Sequence, residues 1–244
     1  MTRADPRGAD RRDAEAGPAR PTGAAATRAR LIRAAEQLFA AHGIEGASLR
    51  EVNRRAGQSN TGAVQYHFGD RRGLLLAVIE KHWSESEPRR HALLDQYEEN
   101  GERDLRALAA ALVLPLAAKL ADPEGRAYLR ISAEFYGRPV PLDELVPNVG
   151  RWTSLHRWHV LLSDAMPVED RAGRDSRFAA IRFAFGELAR RAESPRPDDR
   201  AFTSHLVDLV AALLAAKPSP QTLRALGTRA QPPDDDLTRY LTER

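Results

Sequence analysis

The sequence predicts an all-α fold of about nine helices, with a three-helix head at the amino terminus and a larger helical body after it. Two observations carry this prediction. Alanine, leucine and arginine are abundant whereas only 6% of the residues are aromatic, a composition that favours helices. Apolar residues recur every three or four positions, and no stretch carries the signals of a strand.

The chain begins with a segment that we predict to be disordered. Residues 1–26 are rich in Arg, Asp, Ala, Gly and Pro and show no apolar periodicity. Periodicity starts in the first predicted helix, residues 27–42, where Leu31, Ala35, Leu38 and Phe39 form one apolar stripe. The glycine at position 43 is expected to end this helix.

The next stretch, residues 48–68, has the pattern of two short helices joined by a tight turn. Ser48 and Glu51 form an S-x-x-E capping box at the first helix. Gly57 follows where a left-handed residue would end that helix, and Ser59 or Asn60 can cap the second. Two helices around a short glycine-containing turn are typical of a helix-turn-helix motif.

Residues 30–81 resemble the TetR family of one-component transcriptional regulators. The matching motifs are Ala34-Ala35-x-x-Leu38-Phe39-x-x-x-Gly43, Ser48-Leu49-x-x-Val52, Ala56-Gly57, Gly62-Ala63-Val64-x-Tyr66-His67-Phe68 and Gly73-Leu74-x-x-Ala77-Val78. Gln65 and Arg72 depart from the residue types that often stand at those positions. The resemblance implies that residues 27–82 are a DNA-binding domain and that its partner is double-stranded operator DNA.

The polar surface of this domain supplies the candidate DNA contacts. Residues 27–82 hold nine Lys/Arg against five Asp/Glu, whereas residues 83–244 hold 23 against 25. Arginines suit phosphates, and Asn and Gln pair with adenine edges. The candidates are Arg50, Arg54, Arg55, Asn60, Thr61, Gln65, Tyr66, His67, Arg71 and Arg72. The resemblance places Tyr66, His67 and Arg72 at the DNA backbone. The tail, residues 1–26, is expected to be solvated. The alternative is that it forms a basic arm that reaches the DNA backbone or the minor groove.

Six further helices follow along the chain. Asp70 is expected to cap helix 4, which ends near residues 85–87 with Pro88 as a break or kink. Pro115 is expected to bend helix 5. Residues 138–148, with three prolines, form a loop. The predicted spans of helices 5 to 9 are residues 104–120, 124–137, 151–166, 169–193 and 198–216. Residues 218–244 form a loose tail with a short helix at 221–226.

The resemblance also implies that residues 83–217 form an effector-binding and dimerisation body. An apolar and aromatic pocket with a few polar groups suits a small organic ligand. The candidate lining residues are Leu112, Leu116, Tyr128, Phe135, Trp152, His156 and His159. Ordinary core packing is the alternative for each of them.

The last two predicted helices have apolar stripes too broad for one buried face. Surplus apolar surface on a charged chain indicates a partner interface, and the resemblance implies that these helices pair with a second copy. The candidate dimerisation residues are Phe178, Ile181, Phe185, Leu188, Phe202, Leu206, Leu209 and Leu213. A two-sided monomer core is the alternative.

The sequence carries few signals of catalysis, cofactors or membranes. The chain has no Cys, and it lacks a Gly-rich phosphate loop and an H-E-x-x-H metal motif. No run approaches a transmembrane span, and we expect a cytoplasmic protein with no cofactor, metal site or membrane partner. The resemblance to the TetR family leads us to predict a homodimeric repressor that a small ligand releases from its operator. The alternatives are a ligand-independent DNA-binding protein with a purely dimerising body, and an α-helical enzyme.

Overall fold

The computed structural model describes residues 23–60, 62–101, 103–138, 153–166, 174–194, 196 and 198–227. Within those ranges the chain forms ten α-helices and one 3-10 turn and no strand, which confirms the predicted all-α class. The helices are α1 Gly23–Gly46, α2 Leu49–Arg55, α3 Ala63–Phe68, α4 Arg71–Asn100, α5 Leu105–Ala117, α6 Pro123–Tyr136, α7 Thr153–Ala165, α8 Arg174–Glu193, α9 Arg200–Ala215 and α10 Pro220–Gly227. Thr61, Trp152, residues 1–22, residues 228–244 and nearly all of the proline loop lie outside the described residues.

Helix α1 begins four residues earlier than predicted. Residues 23–26, which we expected in the disordered tail, form its first turn. Three alanines follow Gly23 there, and alanine has the highest helix propensity. The predicted stop at Gly43 is a kink, since Gly43 has φ 75° and the helix resumes for one turn to Gly46.

The capping prediction is right at α4 and wrong at α2. Asp70 accepts a hydrogen bond from the backbone N–H of Gly73 at 2.8 Å. Ser48 makes no side-chain cap bond, and Glu51, the other half of the expected box, pairs instead with the guanidinium of Arg54. At Gly73 itself an added Cβ would lie 2.0 Å from the carbonyl oxygen of Phe68, so only glycine fits between α3 and α4.

Both internal prolines are accommodated without ending a helix. The predicted stop of helix 4 before Pro88 is wrong, because α4 continues for 30 residues to Asn100 and ends at the left-handed Gly101. Pro88 and Ser84, whose carbonyl loses its helical donor, are both exposed, so water can satisfy that carbonyl. Helix α5 likewise passes through Pro115 and tightens into the 3-10 turn Ala118–Ala121.

The body is built around α6. This helix packs against α8 on one side and against α1 of the head on another, while α9 packs against α5 and α8, and α4 lies against α5 and α7. One continuous cluster of buried apolar side chains extends from α1 to α9. The head and the body therefore share a core, and α6 connects them directly.

Candidate nucleic-acid interface and regulatory interior

The turn between α2 and α3 is held by a buried asparagine that the sequence reasoning missed. The Asn53 side chain donates to the carbonyl oxygen of Leu49 at 3.0 Å and accepts from the N–H of Val64 at 3.2 Å. Gly57 has the predicted positive φ, 69°. An amide that bridges both helices fixes the angle at which α3 is presented. Its position beside Val52 on the inner side of α2 is the signal that could have identified it.

The outward side of α3 carries the polar surface that was expected. Tyr66 is 84% exposed, an unusual state for so large a ring, and Gln65 is exposed beside it. His67 is half-buried and lies edge-on to the Tyr66 ring. Asn60 is exposed, and its Oδ1 accepts from the N–H of Gly62 at 2.8 Å, just before the helix rather than as its cap. Thr61 lies outside the described residues.

The five candidate arginines do not share one environment. Arg50, Arg55 and Arg72 are exposed, and Arg54 is exposed but paired with Glu51. The guanidinium of Arg71 instead donates to the carbonyl oxygens of Ile44 and Ala47 at the end of α1. Arg71 therefore contributes to holding the head together, and its predicted contact with phosphate stays a prediction.

Two charged joints connect the head to the body. Glu36 of α1 is 1% exposed, and its carboxylate contacts Nε2 of His82 at 2.6 Å and Nζ of Lys81 at 3.2 Å. Lys81 also pairs with Glu124 of α6. Burial lowers the pKa of Lys81, but its bonds to Glu124 and Glu36 outweigh burial and hold that pKa above its ordinary value. The same Lys81 bond holds the pKa of Glu124 below its ordinary value.

The second joint lies at the kink of α1. The N–H of Ile44 donates to both carboxylate oxygens of Glu134 on α6, at 3.0 Å each. Arg138 pairs with Glu45 at 2.9 Å and lies 3.6 Å from Glu134. The second half of α1 is thus bonded to α4 and α6 at two points, at Glu36 and at Ile44. We expect a movement of α4 or α6 to displace the head.

The predicted ligand-lining residues lie in two different environments. Leu112, Leu116, Tyr128 and Phe135 are fully buried in the core. His156 and His159 on α7 are half-buried, and Trp152 lies outside the described residues. Among the described residues, the open groove between α1 and α4 and the one between α5 and α9 are lined by none of these residues. Their role as a pocket wall therefore stays a prediction.

The interior also contains a buried arginine that the sequence reasoning missed. Arg90 of α4 is 0% exposed, and its guanidinium lies over the Trp83 ring, 4.5 Å from the ring centroid. Burial lowers the pKa of Arg90 to about 10, although Glu87, Tyr128 and Tyr136 oppose that shift. Arg90 occupies the apolar stripe of α4 between Trp83 and Leu94, and this placement is the signal in the sequence.

The eight candidate dimerisation residues divide by burial. Ile181, Phe185, Leu188 and Leu206 lie in the core of the protomer, so they are not available to a partner. Leu209 is 38% exposed, and Phe178, Phe202 and Leu213 are half-buried. Phe202, Leu209 and Leu213 share one stripe of α9 at i, i+7 and i+11. Of the eight candidates, the partly exposed ones are therefore those that can form a partner-facing surface, namely Phe178, Phe202, Leu209 and Leu213.

Two negative findings concern metals and membranes. No group of three or more metal-ligating side chains is arranged to hold an ion in the part of the chain that the structure describes. None of the helices there is long and apolar enough to cross a membrane.

Comparisons with known proteins agree with the geometry of the head. A family profile described as "Bacterial regulatory proteins, tetR family" matches residues 31–78. The HTH-type transcriptional repressor AcnR of Corynebacterium glutamicum is 38% identical over 55 residues, and so is AcnR of Corynebacterium efficiens. The match covers 22% of this chain and 29% of each repressor.

One solved structure extends the likeness to the body. A transcriptional regulator from Rhodococcus sp. Rha1 has a TM-score of 0.50 and 23% sequence identity, and the match covers 78% of this chain and 99% of that chain. At this identity the likeness concerns the fold alone.

Proposed function

Because residues 31–78 match the tetR-family profile, we propose that the head is a TetR-family DNA-binding domain and that the protein is a sequence-specific transcriptional regulator, a repressor that binds operator DNA as a homodimer. The observation that carries the proposal is the surface of α3. A helix of six residues exposes Gln65 and Tyr66 while Ala63 and Val64 anchor it in the core. That arrangement presents hydrogen-bonding groups and one aromatic hydroxyl outward, as major-groove reading requires.

The assignment of roles follows from chemistry and exposure. The exposed arginines Arg50, Arg55 and Arg72 would contact phosphates, because a guanidinium neutralises a phosphate whatever the base sequence. Arg54 can join them if it exchanges its exposed pairing with Glu51, since such pairs stabilise little. Gln65, Asn60 and Thr61 would read base edges, while Tyr66 and His67 would donate to the backbone.

The proposed dimer uses the outward side of α8 and α9. An exposed Leu209 flanked by half-buried Phe202 and Leu213 is surface that a charged chain would bury in a partner. A two-fold axis would carry the two heads to half-sites one helical turn apart, about 34–36 Å. A near-palindromic operator follows from that symmetry.

We further propose that a small organic ligand in the body releases the operator. What supports this is a continuous contact from the interior to the head, in which the Tyr128 ring stacks on His82 at 4.2 Å and His82 contacts Glu36 of α1. A ligand that displaces Tyr128 would shift α1 relative to α4 and α6. A preference of about 1–3 kcal/mol for the displaced state is enough to regulate, and operator DNA would weaken ligand binding by the same factor.

The purely dimerising body is the second candidate function. It accounts for the fully buried Leu112 and Leu116, which need no ligand to explain them. It does not account for a fully buried guanidinium at Arg90 in the middle of the body.

The test is transcription in vitro from a promoter that overlaps a duplex selected for binding to the purified protein. A repressor lowers transcript yield from this promoter and leaves a promoter with a scrambled duplex unchanged. Gln65→Ala, which alters the surface of α3 only, should remove most of the effect. Equal transcript yields with and without the protein would contradict repression, and an increased yield would make the protein an activator.

A further inference from the structure

A cluster of polar side chains lies inside the body, where apolar packing would be expected. Trp83 and Arg90 come from α4, and Tyr128, Ser132 and Tyr136 come from successive turns of α6. All five side chains are buried. We call these five residues the Arg90 cluster. Phe185 of α8 closes one side of it, with its ring stacked on Tyr136 at 4.7 Å and edge-on to Tyr128 at 6.4 Å.

The hydrogen bonds of Arg90 leave part of its guanidinium without a partner. Nε donates to the carbonyl oxygen of Ala111 at 3.3 Å, and Nη1 donates to Oγ of Ser154 at 2.9 Å. Nη2 has no hydrogen-bond partner among the described residues. A guanidinium has five N–H donors and remains charged at neutral pH, so buried donors without acceptors are costly.

Glu87 does not fill this gap. Its Oε1 lies 3.6 Å from Nη1 of Arg90, beyond hydrogen-bond distance. The same carboxylate accepts from the N–H of Ser154 at 2.9 Å, from Oγ of Ser154 at 2.6 Å and from Thr153 at 3.1 Å. Glu87 therefore accepts hydrogen bonds from the start of α7, and it makes none with Arg90.

Two buried hydroxyls of the cluster have no partner beyond each other. The hydroxyls of Tyr128 and Ser132 lie within reach of one another, and neither makes a hydrogen bond to a third group within the described residues. Burial raises the pKa of Tyr128 and of Tyr136 above the ordinary value of tyrosine. Both phenols therefore keep their protons at neutral pH and can act as donors.

Unsatisfied donors around one buried positive charge indicate a missing acceptor that carries negative charge. A carboxylate has two acceptor oxygens, which suits the free edge of a guanidinium together with a neighbouring hydroxyl. The rings of Trp83, Tyr136 and Phe185 make the surroundings of Arg90 apolar, which suits the rest of such a molecule. Glu87 lies close enough to Nη1 of Arg90 for an ion pair, at 3.6 Å, but no acceptor for Nη2 is present among the described residues.

We propose that the effector of this protein is a small organic acid, with its carboxylate bound by Nη2 of Arg90 and the hydroxyls of Tyr128 and Ser132, and its apolar remainder against the aromatic rings. This inference rests on the proposed ligand-responsive function and names the chemical class of the ligand. It also gives the ligand a direct path to the head, because Tyr128 stacks on His82 and His82 contacts Glu36.

The experiment titrates the purified full-length chain with matched probes that differ only in charge. The probes are 4-phenylbutanoate and octanoate, with 4-phenylbutanamide and octanamide as their neutral counterparts. Binding is measured by calorimetry and by tryptophan fluorescence, since Trp83 lies against Arg90. We expect each acid to bind at least about tenfold more tightly than its amide, the ratio that one charge-assisted hydrogen bond provides.

Three variants assign the preference to the cluster. Arg90→Met keeps an unbranched apolar chain and should bind acid and amide equally. Arg89→Met, at the exposed neighbouring position, is the matched control and should keep the wild-type ratio. Tyr128→Phe removes one donor without changing shape and should weaken acid binding severalfold, which keeps the test decisive if Arg90→Met fails to fold.

Several results would overturn the proposal: no acid binding to the wild type at millimolar concentration, equal affinity for acid and amide, or an acid preference that survives in Arg90→Met or is unchanged in Tyr128→Phe. Operator affinity is measured separately without probes. Acid binding at Arg90 combined with no affinity for any duplex would refute the proposed function and leave this site intact. Acid binding that does not alter operator affinity would refute the release mechanism alone.

Discussion

Arg71 and Arg72 are neighbours in the sequence, but their side chains lie in different environments in the structure. Arg72 is exposed, whereas Arg71 bonds the carbonyl oxygens of Ile44 and Ala47. We predict that Arg72→Ala weakens binding to every duplex alike and flattens the slope of log K against log salt by about one, because one phosphate contact is lost. Arg71→Ala should instead lower the free energy of unfolding by about 1–3 kcal/mol, since two carbonyls lose a charged donor. An unchanged salt slope for Arg72→Ala would remove it from the phosphates.

Gln65 is the side chain best placed to read a base. It is exposed on α3, and a glutamine amide can pair with both N6 and N7 of adenine. Gln65→Ala should therefore relax discrimination at one operator position by roughly 1–3 kcal/mol and leave the other positions unchanged. Titration of a panel of single-base operator variants measures this. A uniform loss across the panel would place Gln65 at the backbone.

Asn53 should matter for stability rather than for recognition. Its amide joins α2 to α3 while 2% exposed, so Asn53→Ala leaves the N–H of Val64 without that acceptor. We predict a loss of about 2 kcal/mol in the free energy of unfolding, measured by urea denaturation. Asn60→Ala is the control, because its bond to Gly62 is exposed and water can replace it. Equal losses in the two variants would mean that the Asn53 bridge adds no more to the free energy of unfolding than an exposed hydrogen bond does.

These residues show where sequence reasoning stops at this scale. Residue type and the helix-turn-helix spacing located the polar surface of α3 and the cap at Asp70. Residue type and spacing could not distinguish Arg71 from Arg72. The two differ only in the folded structure, where Arg71 contacts the end of α1 and Arg72 does not. Burial of Arg90 was equally hidden, since a single arginine in a helical stripe is usually solvated at its tip.

At the scale of elements, α9 carries the clearest unpaired surface. Its buried side is made by Leu206, Val207, Val210 and Leu214, whereas Leu209 points away from this core and is exposed. We predict that Leu209→Asp dissociates the proposed dimer, because a buried unpaired carboxylate costs several kcal/mol. Sedimentation at micromolar concentration measures the effect. Ala41→Asp, which adds the same charge to an exposed position of α1, should leave the assembly unchanged. A stable wild-type monomer would refute the proposed interface.

Helix positions were predictable because apolar periodicity recurs in every helix, but their ends were not. Proline was expected to end helix 4, but that helix continues through Pro88 to Asn100, and helix 5 contains Pro115 as predicted. A proline costs about 3 kcal/mol in a helix interior. Burial of Leu94 and Tyr97 beyond Pro88, and of Leu116 beside Pro115, offsets that cost with packing that local propensity does not register.

At the scale of the whole molecule, regulation requires that the interior and the head move together. The shared core, the bonds of Glu36 to α4 and the bonds of Glu134 to the kink of α1 provide that connection. The sequence predicted a head followed by a body. The resemblance implied that the head binds DNA and that the body binds an effector and dimerises. The joint between them could not be predicted, because it depends on contacts between residues such as Glu36 and His82 that lie 46 positions apart.

Dimeric, sequence-specific binding is tested most directly by selecting bound duplexes from a random-sequence library with the purified protein. Two heads related by a two-fold axis predict enrichment of a near-palindromic site whose half-sites are centred about 10–10.5 base pairs apart or a multiple of this. Gln65→Ala should lose information at one symmetric pair of positions. Recovery of unenriched random sequence, or of a single asymmetric half-site, would contradict a dimeric sequence-specific regulator.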